Sequence, residues 1–301
     1  MSSRADLSRL QRRSDAVSLA VVVAHLGFAL TPVYLAAIAG PRPVLVLLWL
    51  WLGLSMHALL NLLHESAHAL VFRSRPANEL LGRWLLGPLV FADFDGYRDR
   101  HWAHHRHFGA EGDTKDTYLI SIRGWRLPWL VLRCLALREA GRRWLVLTRQ
   151  GAPPPGALGR TLLVQAVLSS SLLAVALAVH PDAPAALAAA LVAYLGVYVY
   201  GIGSLTTLTA SLRTIAEHQQ GLDGAPTEGR AALRNFTCGP LERLVLGAYG
   251  FAEHATHHRE PAVPAYHLPA LTERLGAADP GLLPRRGYVA TLALLVSGSP
   301  S

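Results

Sequence analysis

Charged residues are scarce in this sequence, at 16% of 301 positions, and cysteine occurs only twice. Cys134 and Cys238 stand far apart and in no paired motif. That excludes a disulfide framework and a thiolate zinc or iron–sulfur pattern. No CxxC pair, dinucleotide-binding glycine loop or recognisable haem domain is present, so electrons for any redox chemistry must come from elsewhere. Solenoid-type repeats and low-complexity tracts are also missing. The formal net charge is +8. It does not make a nucleic-acid binder, because the arginines flank apolar blocks instead of covering a polar domain.

What the chain has is apolar length and histidine. Hydrophobic residues make up 51% of it, and its mean hydropathy is +0.29. A helix needs about 20 mostly apolar residues to cross a bilayer core. Four stretches meet this: about 17–39, with Pro32 as an expected kink, then about 44–72, 161–179 and 185–210. The first lacks a cleavage site and reads as an anchor, not a removable signal. "GPRP" (40–43) and "HPDAP" (180–184) are short turns, so the spans pair as two helical hairpins. Unbroken from Val44 to Phe72, the second helix would measure about 43 Å against a core of about 30 Å. Its last turns would then project beyond the membrane. Gly201 and Gly203 on the fourth span permit close helix approach.

Arg42 is the only basic residue in the two turns, whereas Arg4, Arg9, Arg12, Arg13 and the middle segment carry many. The positive-inside rule puts both termini, residues 73–160 and residues 211–301 on the cytoplasmic side. The shorter apolar pieces at 80–91 and 125–137 fit the interface plane. The expected architecture is one all-α integral membrane domain, residues 1–301. It has four transmembrane helices in two hairpins and a cytoplasmic helical cap.

Three histidine boxes fall on that same side. "HESAH" carries His64 and His68, "HWAHH" carries His101, His104 and His105, and "HATHH" carries His254, His257 and His258. Positions i, i+3 and i+4 share one helix face, so each box aims its imidazoles in one direction. A tetrahedral zinc takes at most four protein ligands. Eight imidazoles therefore imply two metals. His107 is turned about 110° from the face of the second box and reads as a bystander. His57 lies about 10 Å deeper than His64, too far for the same ion, and either lines a substrate cavity or, the plainer reading, bonds to a neighbouring helix. His25, His180 and His267 are left outside the boxes. Glu65, Asp113, Asp116, Glu217 and Glu253 adjoin the boxes. Metal-bound histidines usually donate their second N–H to a carboxylate or carbonyl, so these five are candidate partners, with salt bridges to arginines as the plainer alternative.

The order of these features resembles the membrane fatty acid desaturase family. HxxxH follows the second span, HxxHH comes about thirty residues later, two more spans follow, and a final HxxHH leads into "HHREPAVPAYHLPAL" (257–271). "GDTKD" (112–116) sits where the family often has an acidic stretch. The resemblance implies an O₂-dependent di-iron desaturase that introduces a double bond into a fatty acyl or similar aliphatic chain. It implies two non-haem iron ions and O₂ as cofactors, a lipid or acyl substrate, and a separate electron donor, a ferredoxin or a cytochrome with its reductase. It also implies a ninth ligand, His218 in "LRTIAEHQ". Some relatives add an Asn one turn earlier. That position is Thr214 here, so the contact is not carried over.

Spacing leaves alternatives open. A hydroxylase or other oxygenase fits the same scaffold. "HESAH" satisfies HExxH with Glu65 as base, the mark of an intramembrane zinc protease, but that leaves both HxxHH boxes unexplained. A metal transporter would place its ligands at mid-membrane, and here they lie beyond the spans.

Overall fold

The computed structural model describes residues 4–114, 122–149, 154–218 and 233–297. Among these the chain is helical, with no strand. Helix α1 (Asp15–Ala39) begins at Ser14, whose hydroxyl accepts from the Val17 amide, and ends at Gly40 with φ 66°. It runs through Pro32 without interruption. Helix α2 (Leu45–Ala67) returns beside it. Then come the short α3 (Arg75–Leu81) and α4 (Phe94–His107), the latter capped by the Asp93 carboxylate on the Gly96 amide.

Helices α5 (Arg126–Leu135) and α6 (Arg138–Arg149) form an amphipathic pair. Leu127, Leu130 and Cys134 are buried, while Trp125, Trp129 and Trp144 are exposed. Glu139 is fully buried between Arg133 at 3.0 Å and Arg142 at 2.7 Å. Helix α7 (Ala157–Val179) and the 36-residue α8 (Ala183–His218) complete the bundle. Beyond it lie α9 (His254–Arg259) and α10 (Tyr288–Ser297).

Four helices, α1, α2, α7 and α8, are long and apolar enough to cross a membrane. Their outward side chains are also apolar: Leu47, Leu162 and Val167 are each at least 60% exposed. A continuous apolar surface of this kind needs a partner of the same character. The turns after α1 and α7 meet at one end of the bundle, where His180 Nε2 donates to the Ala37 carbonyl at 2.9 Å. The histidine boxes lie at the other end.

The helix expected to be the longest is not the longest. Helix α2 stops at Ala67, five residues before Phe72. Ala69 takes a left-handed conformation (φ 58°), the Ala69 amide bonds to the Ser66 carbonyl, and the Leu70 amide bonds to the Glu65 carbonyl. This closure normally uses glycine, so the sequence gives no sign of it. Asn78 then holds the departing chain, accepting from the Val71 and Phe72 amides and donating to the Phe72 and Ser74 carbonyls. Helix α8 is the long one, about 54 Å at 1.5 Å per residue. It widens into π-helix over Val192–Val199 and Ile202–Thr206, as such bulges do at functional sites.

Two glycines make room where α2 packs on α8. A Cβ on Gly201 would come within 2.7 Å of Leu52, and one on Gly53 within 2.3 Å of the Leu205 Cβ. Gly203 instead makes room for Leu137, between α5 and α6. The apolar piece at 80–91 is anchored in the core, with Leu86, Leu89 and Val90 buried against the long helices. Two of its carbonyls, of Pro88 and Leu89, accept from Gln165 and Tyr198.

Candidate metal centre

Each box reaches the site by a different local device. His64 lies in the last turn of α2, and His68 follows at its C-cap. His101, His104 and His105 share one face of the last two turns of α4. His218 is the final residue of α8. His254, His257 and His258 sit on the two-turn α9, which is held by Asn235. The Asn235 side chain accepts from the Thr256 amide and donates to the Thr256 hydroxyl and the Leu282 carbonyl. All nine imidazoles are buried.

They fall into one group of five and two smaller sets that share His218. His64, His68, His101, His105 and His257 place one ring nitrogen each within 4.8 Å of one another. His104, His218 and His258 form a second set on the same criterion, and Glu217, His218 and His254 a third that shares His218. The groups share a wall, because the rings of His105 and His258 stack with centroids 4.1 Å apart and planes 16° apart. Within the first group the Nε2 atoms of His68 and His105 lie 2.8 and 2.9 Å from His101 Nε2, and His257 Nε2 lies 3.3 Å from His105 Nε2.

A metal ion fits these separations. Two nitrogens bound at right angles to one ion, each about 2.1 Å from it, stand about 3.0 Å apart. A single Nε2 facing two others cannot satisfy both by hydrogen bonding, because it holds either one proton or one lone pair. Neither ring nitrogen of His64 and not the Nε2 of His258 has a hydrogen-bond partner, although all are buried. An imidazole in this state is costly unless an ion takes its lone pair. Burial, and then the neighbouring imidazoles, push His257 and His258 well below the usual histidine range, and burial pushes His68 down to about 3. These rings are neutral at ordinary pH, the form that ligates metal.

Several second nitrogens are fixed. His104 Nδ1 donates to the Asp113 carboxylate at 2.7 Å, and Asp113 also accepts from the Gly109 amide at 3.0 Å. His218 Nδ1 donates to the Thr214 carbonyl at 3.0 Å. In both, the proton on Nδ1 leaves Nε2 for the cage. Thr214 thus takes part through its backbone, one turn before His218. Glu65 lies 3.6 Å from His64 Nδ1 and accepts from the Ala265 amide at 3.0 Å. Glu217 lies 3.7 Å from His254 Nε2. Glu253 turns instead to Arg243, at 2.8 and 3.3 Å, so the salt-bridge alternative describes it. Asp116 lies outside the described residues.

The other histidines are elsewhere. His107 is exposed and belongs to none of these sets. His57 Nδ1 donates to the Val245 carbonyl at 2.8 Å, and His25 Nε2 to the Ser55 carbonyl at 3.2 Å. Two contributors have no sequence signal. Tyr288, at the start of α10, places its hydroxyl 2.9 Å from Glu217 and 2.7 Å from the Phe251 carbonyl. Its phenol is pushed well above 10, first by burial and then by the Glu217 charge. Phe251 carries the Arg213 guanidinium 3.7 Å over its ring and packs 4.7 Å from His64.

The family model for fatty acid desaturases matches residues 41–289, from the turn before α2 into α10. No curated protein matches the chain.

Proposed function

The chain belongs to the fatty acid desaturase family, and on that premise we propose that it is a membrane-embedded di-iron enzyme that desaturates an aliphatic chain. The observation that carries this reading is the packing of nine buried histidines into a group of five and two smaller sets joined at His218, with the rings of His105 and His258 stacked between the five and the rest. His64, His68, His101, His105 and His257 would hold one iron. His104, His218, His254 and His258 would hold the other, with Glu217 beside them. The ions, when bound, supply activation of O₂ for removal of two hydrogens from neighbouring carbons.

The protein's own share is placement and exclusion of water. The four-histidine side is sealed. Asp113 and the Thr214 carbonyl fix two imidazoles in the ligating tautomer. The apolar exteriors of α1, α2, α7 and α8 support insertion in a bilayer. The arginine distribution supports a cytoplasmic position for the histidine end and both termini. The substrate is a lipid or acyl chain, and the electrons come from a separate carrier protein. The whole chain works as one domain.

The test is direct. Purified protein should contain about two irons per chain, and His104→Ala should lose a large share. Incubation with acyl lipids, O₂ and a reducing system should give products lighter by two hydrogens. Products heavier by one oxygen would make the enzyme a hydroxylase. One zinc, unaffected by His104→Ala, would overturn the di-iron reading.

A further inference from the structure

The nine histidines are not equally enclosed. His104, His218 and His254 are each 1% exposed, whereas His68 and His101 reach 7% and 8%. The five-histidine group is therefore the side of the cage nearest the outside. A cleft of about 430 Å³ opens over it. His68 and Trp102 are among its lining residues, beside the turn that ends α2. The Trp102 indole meets two cage rings, 4.7 Å edge-on to His68 and 5.7 Å from His105. The same lining holds Arg75, Arg98 and Arg106 against Glu79 and Asp99. Arg75 and Arg98 share Glu79, and Arg98 also reaches Asp99 at 3.6 Å. Arg106 is exposed and makes no ion pair among the described residues.

We propose that this cleft receives an acidic one-electron carrier protein and that Trp102 is the contact through which its electrons enter the metal centre. The proposal rests on the di-iron reading above. Desaturation consumes one O₂, the two hydrogens of a CH₂–CH₂ unit, two protons and two electrons, and releases two waters. The two electrons are not available within the chain, whose two cysteines are both free thiols without a cluster motif. Each encounter oxidises the carrier by one electron, so two encounters serve one turnover, and the protons come from solvent. Electron transfer weakens steeply with distance. The place where ligand rings come nearest the surface, with an aromatic ring bridging two of them, is the favoured entry. The three arginines against two carboxylates in the lining and the chain's net charge of +8 match an acidic partner, and such pairing acts chiefly on the association rate.

The experiment uses the iron-loaded protein in lipid nanodiscs and a reduced acidic [2Fe–2S] ferredoxin as probe, mixed by stopped flow and followed at the ferredoxin absorbance. The second-order rate should fall as salt rises. Arg106→Glu should lower it about tenfold and flatten the salt dependence. The same variant should weaken ferredoxin binding to the metal-free protein. Trp102→Leu should slow transfer at saturating ferredoxin at least several-fold, with Trp102→Phe in between, while reduction by free dithionite and iron content match the parent. Parental ferredoxin rates in Arg106→Glu and Trp102→Leu would overturn the proposal. So would equal slowing with dithionite, or a raised substrate KM with intact ferredoxin rates, which would make the cleft a headgroup site. Iron content is measured first. A parent without iron fails the di-iron reading itself, whereas a loaded parent with unaffected variants fails only the docking site.

Discussion

The imidazole of His105 lies flat against that of His258, although the two belong to different ligand groups. His105 also stands 2.9 Å from His101 Nε2 within its own group. A change at His105 therefore disturbs both sides, while the histidine rings that His64 contacts all belong to the first group: His68, His101 and His257. His105→Ala should drop iron below about one per chain, and His64→Ala should leave about one. Metal analysis of the two purified variants checks this. Equal retention would mean that the stacked wall does not couple the sites.

Asp113 holds His104 by a 2.7 Å charge-assisted hydrogen bond and is itself held by the Gly109 amide. A carboxylate here fixes the tautomer and raises the basicity of the ligating nitrogen. Asp113→Asn keeps the shape, loses the charge and allows the amide to present its NH₂ instead. Iron affinity should fall about 10- to 100-fold, with little change in thermal unfolding of the metal-free protein. Chelator competition separates the two effects. A matching fall in metal-free stability would make Asp113 a structural residue only.

The close approach of α2 to α8 gives a packing test. A Cβ at Gly53 would lie 2.3 Å from the Leu205 Cβ, an atom too near the backbone to move aside cheaply. Thr206 also donates its hydroxyl to the Gly53 carbonyl at 2.9 Å, fixing the two helices there. Gly53→Ala should destabilise by about 1–3 kcal/mol through overpacking. Gly27→Ala, on α1 with nothing within 4 Å of the added carbon, should be tolerated. Unfolding temperatures in one detergent compare them. The reverse order would contradict the helix crossing.

The histidine grouping was legible because helical spacing converts HxxxH and HxxHH directly into shared faces, and three such faces on one side of a bundle have few ways to avoid meeting. The four long helices were legible from apolar run length. What escaped depended on contacts between distant segments. Tyr288 approaches Glu217 across 71 positions, and nothing about a tyrosine opening a short apolar helix marks it. Glu253 adjoins the third box in sequence but turns to Arg243, because adjacency along the chain says little about direction across a two-turn helix. The reach of α8 to His218 was hidden by Arg213 and Glu217, polar residues that end an apolar window. They are nevertheless buried, 3.7 Å from each other and covered from other elements by the Phe251 ring and the Tyr288 hydroxyl.

The end of α2 offers the sharpest contrast between sequence and structure, and a test follows from it. The expectation of an unbroken helix to Phe72 failed because the stop is made by Ala69 in a left-handed conformation, where an L side chain costs roughly 1–2 kcal/mol. Other bonds must offset that cost. The Ser66 and Glu65 carbonyls accept the Ala69 and Leu70 amides, and the Ser66 hydroxyl donates to the Asn78 carbonyl at 2.6 Å. Ala69→Gly removes the strain and keeps every one of these bonds. It should raise stability by up to about 1 kcal/mol and leave iron content unchanged, since His68 keeps its place. Ala69→Val adds β-branching to the same backbone and should destabilise. It should also loosen His68, which shows as faster iron release to a chelator. Were the helix in fact to continue toward Phe72, the order would reverse: glycine would weaken it and valine would be accepted. Thermal unfolding of the parent, glycine and valine forms decides between these two ends for α2.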